Sequence, residues 1–158
     1  LGFPVFRTMA GVMGMCLCND RRWPETWRVM GMQDVDIVML GYNTPVYNSI
    51  APESPHLRMF HNHISMQAGA YQNGTWAVGT AKAGMEGGVD MMAGSCIIAP
   101  TGEIVALATT SEDEVIVAEC DLDKGRYIRD TVFNFAQHRR IENYGVITER
   151  TEAIAPPE

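Results

Sequence analysis

Cys18 is followed at once by Asn19, Asp20, Arg21 and Arg22, so a thiol and two guanidinium groups fall within five residues. A thiolate attacks a carbonyl carbon better than water does and divides hydrolysis into two steps, formation and breakdown of a thioester-type intermediate. Free thiols ionise near pH ~8.5, and neighbouring cations or a helix start lower that value. The backbone N–H of Asn19, just after the sulfur, is placed to donate to the oxyanion of such a step. Arg21 and Arg22 are too short a run to bind a polyanion, but two planar donor forks can converge on one carboxylate. The chemistry these types suggest is nucleophilic attack on a small acid. The competing readings are plainer: Cys18 as an inert strand cysteine, and either arginine as an ion-pair partner of Asp20 or Glu25.

The surrounding pattern indicates how these groups are held. Val5 to Thr8 and Val12 to Leu17 read as two strands joined by a tight turn, with Gly11 free to take a positive φ. Trp23-Pro24-Glu25 opens a helix that places Trp27, Val29 and Met30 on or near one face and stops at Gly31. Asp36 to Leu40 is a second buried strand, and strand, helix, strand in that order imply a parallel pair. Cys18 thus sits where a strand becomes a helix. Gly41-Tyr-Asn-Thr-Pro45 ends the next strand on the same side, bringing Asn43 and Thr44 toward the thiol.

Farther on, Val46 to Pro55 reads as a surface loop or lid. Leu57, Phe60, Ile64, Ala68 and Tyr71 define a long helix stopped by Asn73-Gly74. Trp76 to Thr80 is a strand, Lys82 to Gly94 a loop without period, and Ser95 to Ala99 with Glu103 to Ala108 a hairpin. Val115 to Cys120 reads as a further strand, Asp123 to Gln137 as a terminal helix, and 148–158 as a tail that dangles or crosses to a neighbouring subunit.

With 158 residues the chain makes one domain at most, expected to be globular and soluble. Its net charge of −7 and lack of a basic run argue against nucleic acid and against an anionic membrane surface, and no apolar run is long enough to span a bilayer. Cys16, Cys18, Cys96 and Cys120 have the spacing of reduced thiols, which makes the cytoplasm the default compartment. His61-Asn-His63 and Cys16-Leu-Cys18 do not carry a third and fourth ligand at zinc spacing, so no metal is expected. Met13, Met15, Met30 and Met32 are read as core filling.

Cys-Asn-Asp-Arg-Arg-Trp-Pro-Glu25, together with Gly41-Tyr-Asn-Thr-Pro45, Gln67-Ala-Gly-Ala-Tyr-Gln-Asn73, Ala99-Pro-Thr-Gly-Glu-Ile104 and Phe133-Asn-Phe135, resembles the nitrilase (carbon–nitrogen hydrolase) superfamily, in its branch acting on N-carbamoyl-D-amino acids. The resemblance covers essentially the whole chain. It implies an α/β fold, the C-terminal portion of a four-layer α-β-β-α sandwich, with residues 1–147 forming that part of a single domain. It also implies Cys18 as nucleophile; Arg21, Arg22, Asn43 and Thr44 holding the substrate carboxylate and nearby polar atoms; no cofactor; a small-molecule N-carbamoyl amino acid as substrate; and a homo-oligomer paired through the helical layer. The family's catalytic Glu and Lys are expected from an N-terminal half outside this chain. Glu25, Glu53, Glu86 and Glu103, and the two lysines Lys82 and Lys124, match neither role. A neutral-amide hydrolase of the same superfamily and a non-catalytic assembly module are the alternatives.

Overall fold

The computed structural model describes residues 2–157. Strands β1 (Val5–Arg7), β2 (Val12–Leu17), β3 (Ile37–Tyr42), β4 (Trp76–Ala81), β5 (Met85–Glu86), β6 (Val89–Asp90), β7 (Cys96–Ile98) and β8 (Ile104–Leu107) alternate with helices α1 (Pro24–Gly31) and α2 (Pro55–Asn73). They are followed by α3 (Lys124–Asp130), α4 (Phe135–His138) and α5 (Gly145–Glu149). The main sheet has the order β1-β2-β3-β4-β7-β8. Its centre, β2-β3-β4, is parallel, and the flanking pairs are antiparallel. The expected hairpins and the parallel pair are therefore present, and Gly11 has φ +147° in the first turn.

Two strand-helix-strand crossovers run in the same direction along the sheet, which puts α1 and α2 on one face. There Trp27, Met30, Met66 and Ala70 pack against Val38, Leu40, Ala77 and Ile98. Ser54 caps α2 by accepting from the Leu57 N–H (3.3 Å), and Gly74 ends it at φ +58°. The apolar row read from the sequence is not the buried one, however. Leu57, Phe60, Ile64 and Tyr71 are exposed, whereas α2 buries Arg58, Asn62, Met66, Gly69 and Asn73. Arg58 donates to the Ala51 carbonyl, Asn62 accepts from Arg21 and Asn73 donates to the Gly69 carbonyl, and Gly69 is there because the Trp27 indole lies flush against the helix. On α1 Val29 likewise faces outward, unlike Trp27 and Met30.

The face away from the helices is covered only in part. Trp76, Ile97 and Ala99 pack there with Ile116, Ala118 and Leu122. Toward β1–β3 the same face is open, and Phe6, Met15, Leu17 and Met39 are exposed on it. Of the four methionines expected in the core only Met30 is fully buried; Met15 and Met32 are exposed, since alternation along β2 turns Met15 to the open face.

Four further expectations change. Val115 to Cys120 is extended, with Ile116, Ala118 and Cys120 turned inward and Val115 and Val117 outward, but it lies across the sheet without a ladder partner and forms no strand. The single terminal helix is broken after Asp130, because the Asn134 side chain accepts from the Gln137 N–H (3.1 Å) and starts a new helix. Lys82 to Gly94 contains the β5-β6 hairpin, turned by Gly87 and Gly88 at φ +58° and +81°. Helix α5 runs to Glu149, past the expected start of the tail; residues 150–157 have neither helix nor strand. No helix among the described residues is long and apolar enough to cross a membrane.

A Gly→Ala change inside a helix ordinarily stabilises by up to ~1 kcal/mol. At Gly69 the added methyl would overlap the Trp27 ring. Gly69→Ala is therefore expected to lose about 1–3 kcal/mol in urea unfolding. A gain would show that α1 and α2 are not packed through this contact.

Candidate active site

The parallel register places Leu17 beside Gly41 and Tyr42 beside Ala81, so Cys18, Asn43 and Lys82 emerge in turn from the carboxyl ends of β2, β3 and β4. That edge is where open α/β sheets bind ligands. Cys18 opens a single 3-10 turn, Cys18–Arg22, which leads through Trp23 into Pro24 at the head of α1. The Asp20 carboxylate accepts from the Leu17 N–H (2.9 Å) and clamps the strand end to the turn. Cys18 has φ +48°, a left-handed conformation that costs a residue other than glycine roughly 1–2 kcal/mol. Such strain persists only where neighbouring contacts hold it, and the contacts here come from Arg21.

Arg21 is 1% exposed. Its Nε donates to Asn62 Oδ1 (2.7 Å), its Nη2 to Thr44 Oγ1 (3.0 Å), and its Nη1 to the Cys18 carbonyl. The guanidinium lies 4.0 Å from the centre of the Tyr42 ring, and the Arg21 carbonyl accepts from Trp27 Nε1 (2.8 Å). Burial pushes the Arg21 pKa down from its usual value, offset in part by the Tyr42 oxygen beside it. Each nitrogen of the fork already has a protein partner, so Arg21 is placed under the nucleophile as a support. Neither Asp20 nor Glu25 pairs with it. Thr44 is buried and belongs to the same support.

Arg22 and Asn43 differ from that pair. Both are exposed, and among the described residues neither side chain has a hydrogen-bond partner or ion pair. Asn19 is also exposed, in the first residues of a turn whose N–H groups a helical ladder leaves unused. The four residues expected to hold the substrate thus divide into an exposed pair, Arg22 and Asn43, and a buried pair, Arg21 and Thr44.

Asn62 and Tyr42 were not singled out by sequence, yet they complete the arrangement. Asn62 is 0% exposed; its Nδ2 donates to the Tyr42 hydroxyl (3.2 Å), which donates to the Gly94 carbonyl (3.4 Å). His63 Nε2 lies 3.3 Å from the same carbonyl, and His61 Nδ1 contacts the Glu53 carboxylate. No group of three potential metal ligands occurs among the described residues. A cavity of about 410 Å³ beside Lys82, Gly94, Ser95 and Glu112, and one of about 640 Å³ outside α1 beside Arg28, Phe133, Phe135 and Tyr144, are lined without Cys18.

The carbon-nitrogen hydrolase family matches residues 1–130. The chain belongs to this family. It is 30% identical over 131 residues to the N-carbamoylputrescine amidase of Solanum tuberosum, covering 78% of this chain and 43% of the amidase. Its fold matches a carbon-nitrogen hydrolase from Helicobacter pylori G27 with a TM-score of 0.82 at 24% identity, over 95% of this chain and 53% of that one. It also matches an amidase from Nesterenkonia sp. AN1 that carries the acetamide moiety of fluoroacetamide on its active-site cysteine, with a TM-score of 0.66 at 18% identity, over 92% of this chain and 47% of that one. The expected α/β fold of the nitrilase superfamily is therefore present. The chain spans about half the length of the curated relatives it matches.

Two measurements check this arrangement. Lys in place of Arg21 keeps the charge and loses the fork, leaving buried acceptors unpaired, so Arg21→Lys should lower stability by about 1–3 kcal/mol in urea unfolding; an unchanged midpoint would contradict the support role. Burial raises the Cys16 thiol, which also faces Asp20, to about 12, and burial raises Cys96 and Tyr42 to about 12 as well. Folding holds protons on these groups that the unfolded chain releases, so their contribution is intact below pH ~8.5 and declines as pH rises toward 12. Unfolding free energies at pH 7, 9 and 10.5 should fall in that order, and a flat profile would contradict the burial.

Proposed function

We propose that this chain carries the nucleophile of an enzyme that hydrolyses the carbamoyl C–N bond of N-carbamoyl amino acids, with Cys18 as that nucleophile. The observation that supports this most is the pairing at the sheet edge: Cys18 is held in a left-handed turn by the buried Arg21, while the adjacent Arg22 stays exposed, with no partner among the described residues. Attack of the Cys18 sulfur on the carbamoyl carbon forms a C–S bond, and a protonated nitrogen departs as the C–N bond breaks. Water then cleaves the carbamoyl-enzyme. Overall one substrate and one water yield an amino acid, ammonia and carbon dioxide.

In this reading Arg22 takes the substrate carboxylate, Asn43 a neighbouring polar atom and the Asn19 N–H the oxyanion. Arg21 and Thr44 act through Cys18. The general base and a cationic oxyanion partner are assigned to the half of the enzyme outside this chain, which we place against the open face bearing Phe6, Met15, Leu17 and Met39. The choice of a D-amino acid rests on the resemblance of the Cys18–Glu25 motif. A covalent adduct on the active-site cysteine of the Nesterenkonia amidase, and a carbamoyl substrate in the name of the potato relative, support the nucleophile and the reacting group respectively. Putrescine carries no carboxylate, so the potato relative also supports a second reading, a carbamoyl amidase for a substrate without an acid group.

Ammonia release from an N-carbamoyl-D-amino acid tests the proposal, using this chain alone and joined to the N-terminal half of a carbon–nitrogen hydrolase. Activity is expected only in the joined protein and is abolished by Cys18→Ala. Arg22→Ala should lower kcat/KM for the carboxylate substrate about 10–100-fold, the loss of one charge-assisted contact, and spare a neutral carbamoyl amide. Equal losses on both substrates would favour the second reading, and turnover by the short chain would place a base within these residues.

A further inference from the structure

We propose that Asn62 is a positioning residue for Cys18, orienting the Arg21 guanidinium that holds the nucleophile in its left-handed turn. The inference rests on the reading of Cys18 as nucleophile and adds the residue that makes its conformation possible. The direction of each hydrogen bond is forced. Arg21 Nε can only donate, so Asn62 must present Oδ1 to it, at 2.7 Å. The Asn62 amide then turns Nδ2 to the Tyr42 hydroxyl (3.2 Å), which accepts and sends its own proton to the Gly94 carbonyl (3.4 Å). Asn62 thus fixes one nitrogen of the fork while Tyr42 stacks on its plane and Thr44 takes Nη2, leaving Nη1 aimed at the Cys18 carbonyl.

A fully buried amide on a helix face shared with Met66, Gly69 and Ala70 costs stability unless both ends are paired, and here both are. Without the Nε partner the guanidinium can tilt, and Cys18 can relax toward extended backbone. Residue 18 would then continue the alternation of Gly14 and Cys16, and its sulfur, now half-buried at the margin of the helix-side core, would turn further into that core, away from reagents.

The test is the rate of iodoacetamide alkylation at Cys18 in this chain, read by peptide mass spectrometry with near-ultraviolet circular dichroism to verify native packing. Asn62→Ala should slow it about five-fold or more, the equivalent of one lost net hydrogen bond. Asn62→Asp keeps an acceptor for Nε and should stay within about two-fold of the native rate, as should Met66→Leu, a volume-conserving change one turn away. If Asn62→Ala does not fold, Asn62→Leu fills the space without polar atoms and carries the same expectation. A native alkylation rate without the Asn62 acceptor, or an equal slowing by Met66→Leu, would overturn the proposal. Ammonia release that survives Cys18→Ala would instead overturn the reading of Cys18 as nucleophile, whatever the alkylation rates.

Discussion

A guanidinium buried to 1% exposure is costly unless each of its nitrogens finds a partner. Arg21 meets that condition with partners from four places in the chain: its own turn at Cys18, the end of β3 at Thr44, the middle of α2 at Asn62, and the face of Tyr42. The requirement works in both directions. The arginine stays buried because these elements converge on it, and their convergence at the carboxyl end of the sheet gives Cys18 a backbone conformation it would not otherwise keep. The rest of the site follows from this contact, including the freedom of Arg22, which emerges from the same turn with no protein partner among the described residues.

The sheet is finished on one side and open on the other. Two helices seal one face around Trp27, Met30 and Met66, whereas the opposite face is closed only near β4 and β7 by an extended segment lying across it. The remainder presents Phe6, Met15, Leu17 and Met39 to solvent, a run of large apolar side chains that isolated soluble domains seldom leave uncovered. In a four-layer sandwich this is the surface that meets a second sheet, which accords with a chain spanning about half of its relatives.

Much of the architecture was legible in local patterns. Pro24 at the head of α1, Gly74 after Asn73, and the apolar runs of β2, β3 and β4 each carry a signal that short-range sterics and capping decide, whereas Ser54 and Pro55, read as the end of a loop, cap and open α2. The Gly87-Gly88 turn was not read, because the surrounding methionines and glycines give the segment no period, although two successive glycines suit a hairpin that needs positive φ at both positions. Segment 115–120 shows the limit of alternation: the pattern records which side chains face the core and says nothing about whether a neighbouring strand is present to accept the backbone.

By itself the sequence determined the order of elements as far as β4, the placement of Cys18 at a strand end, and the resemblance that names its family, since these depend on residues close in the chain. Only the tertiary structure decided which of two adjacent arginines faces inward, which face of α2 is buried, and that Asn62 stands beneath the nucleophile. Arg21 and Arg22 are chemically identical, and an asparagine between two histidines looks exposed until its partners arrive. Their difference arises from contacts across 23 and 41 positions, made only once β3 and α2 have packed against the turn.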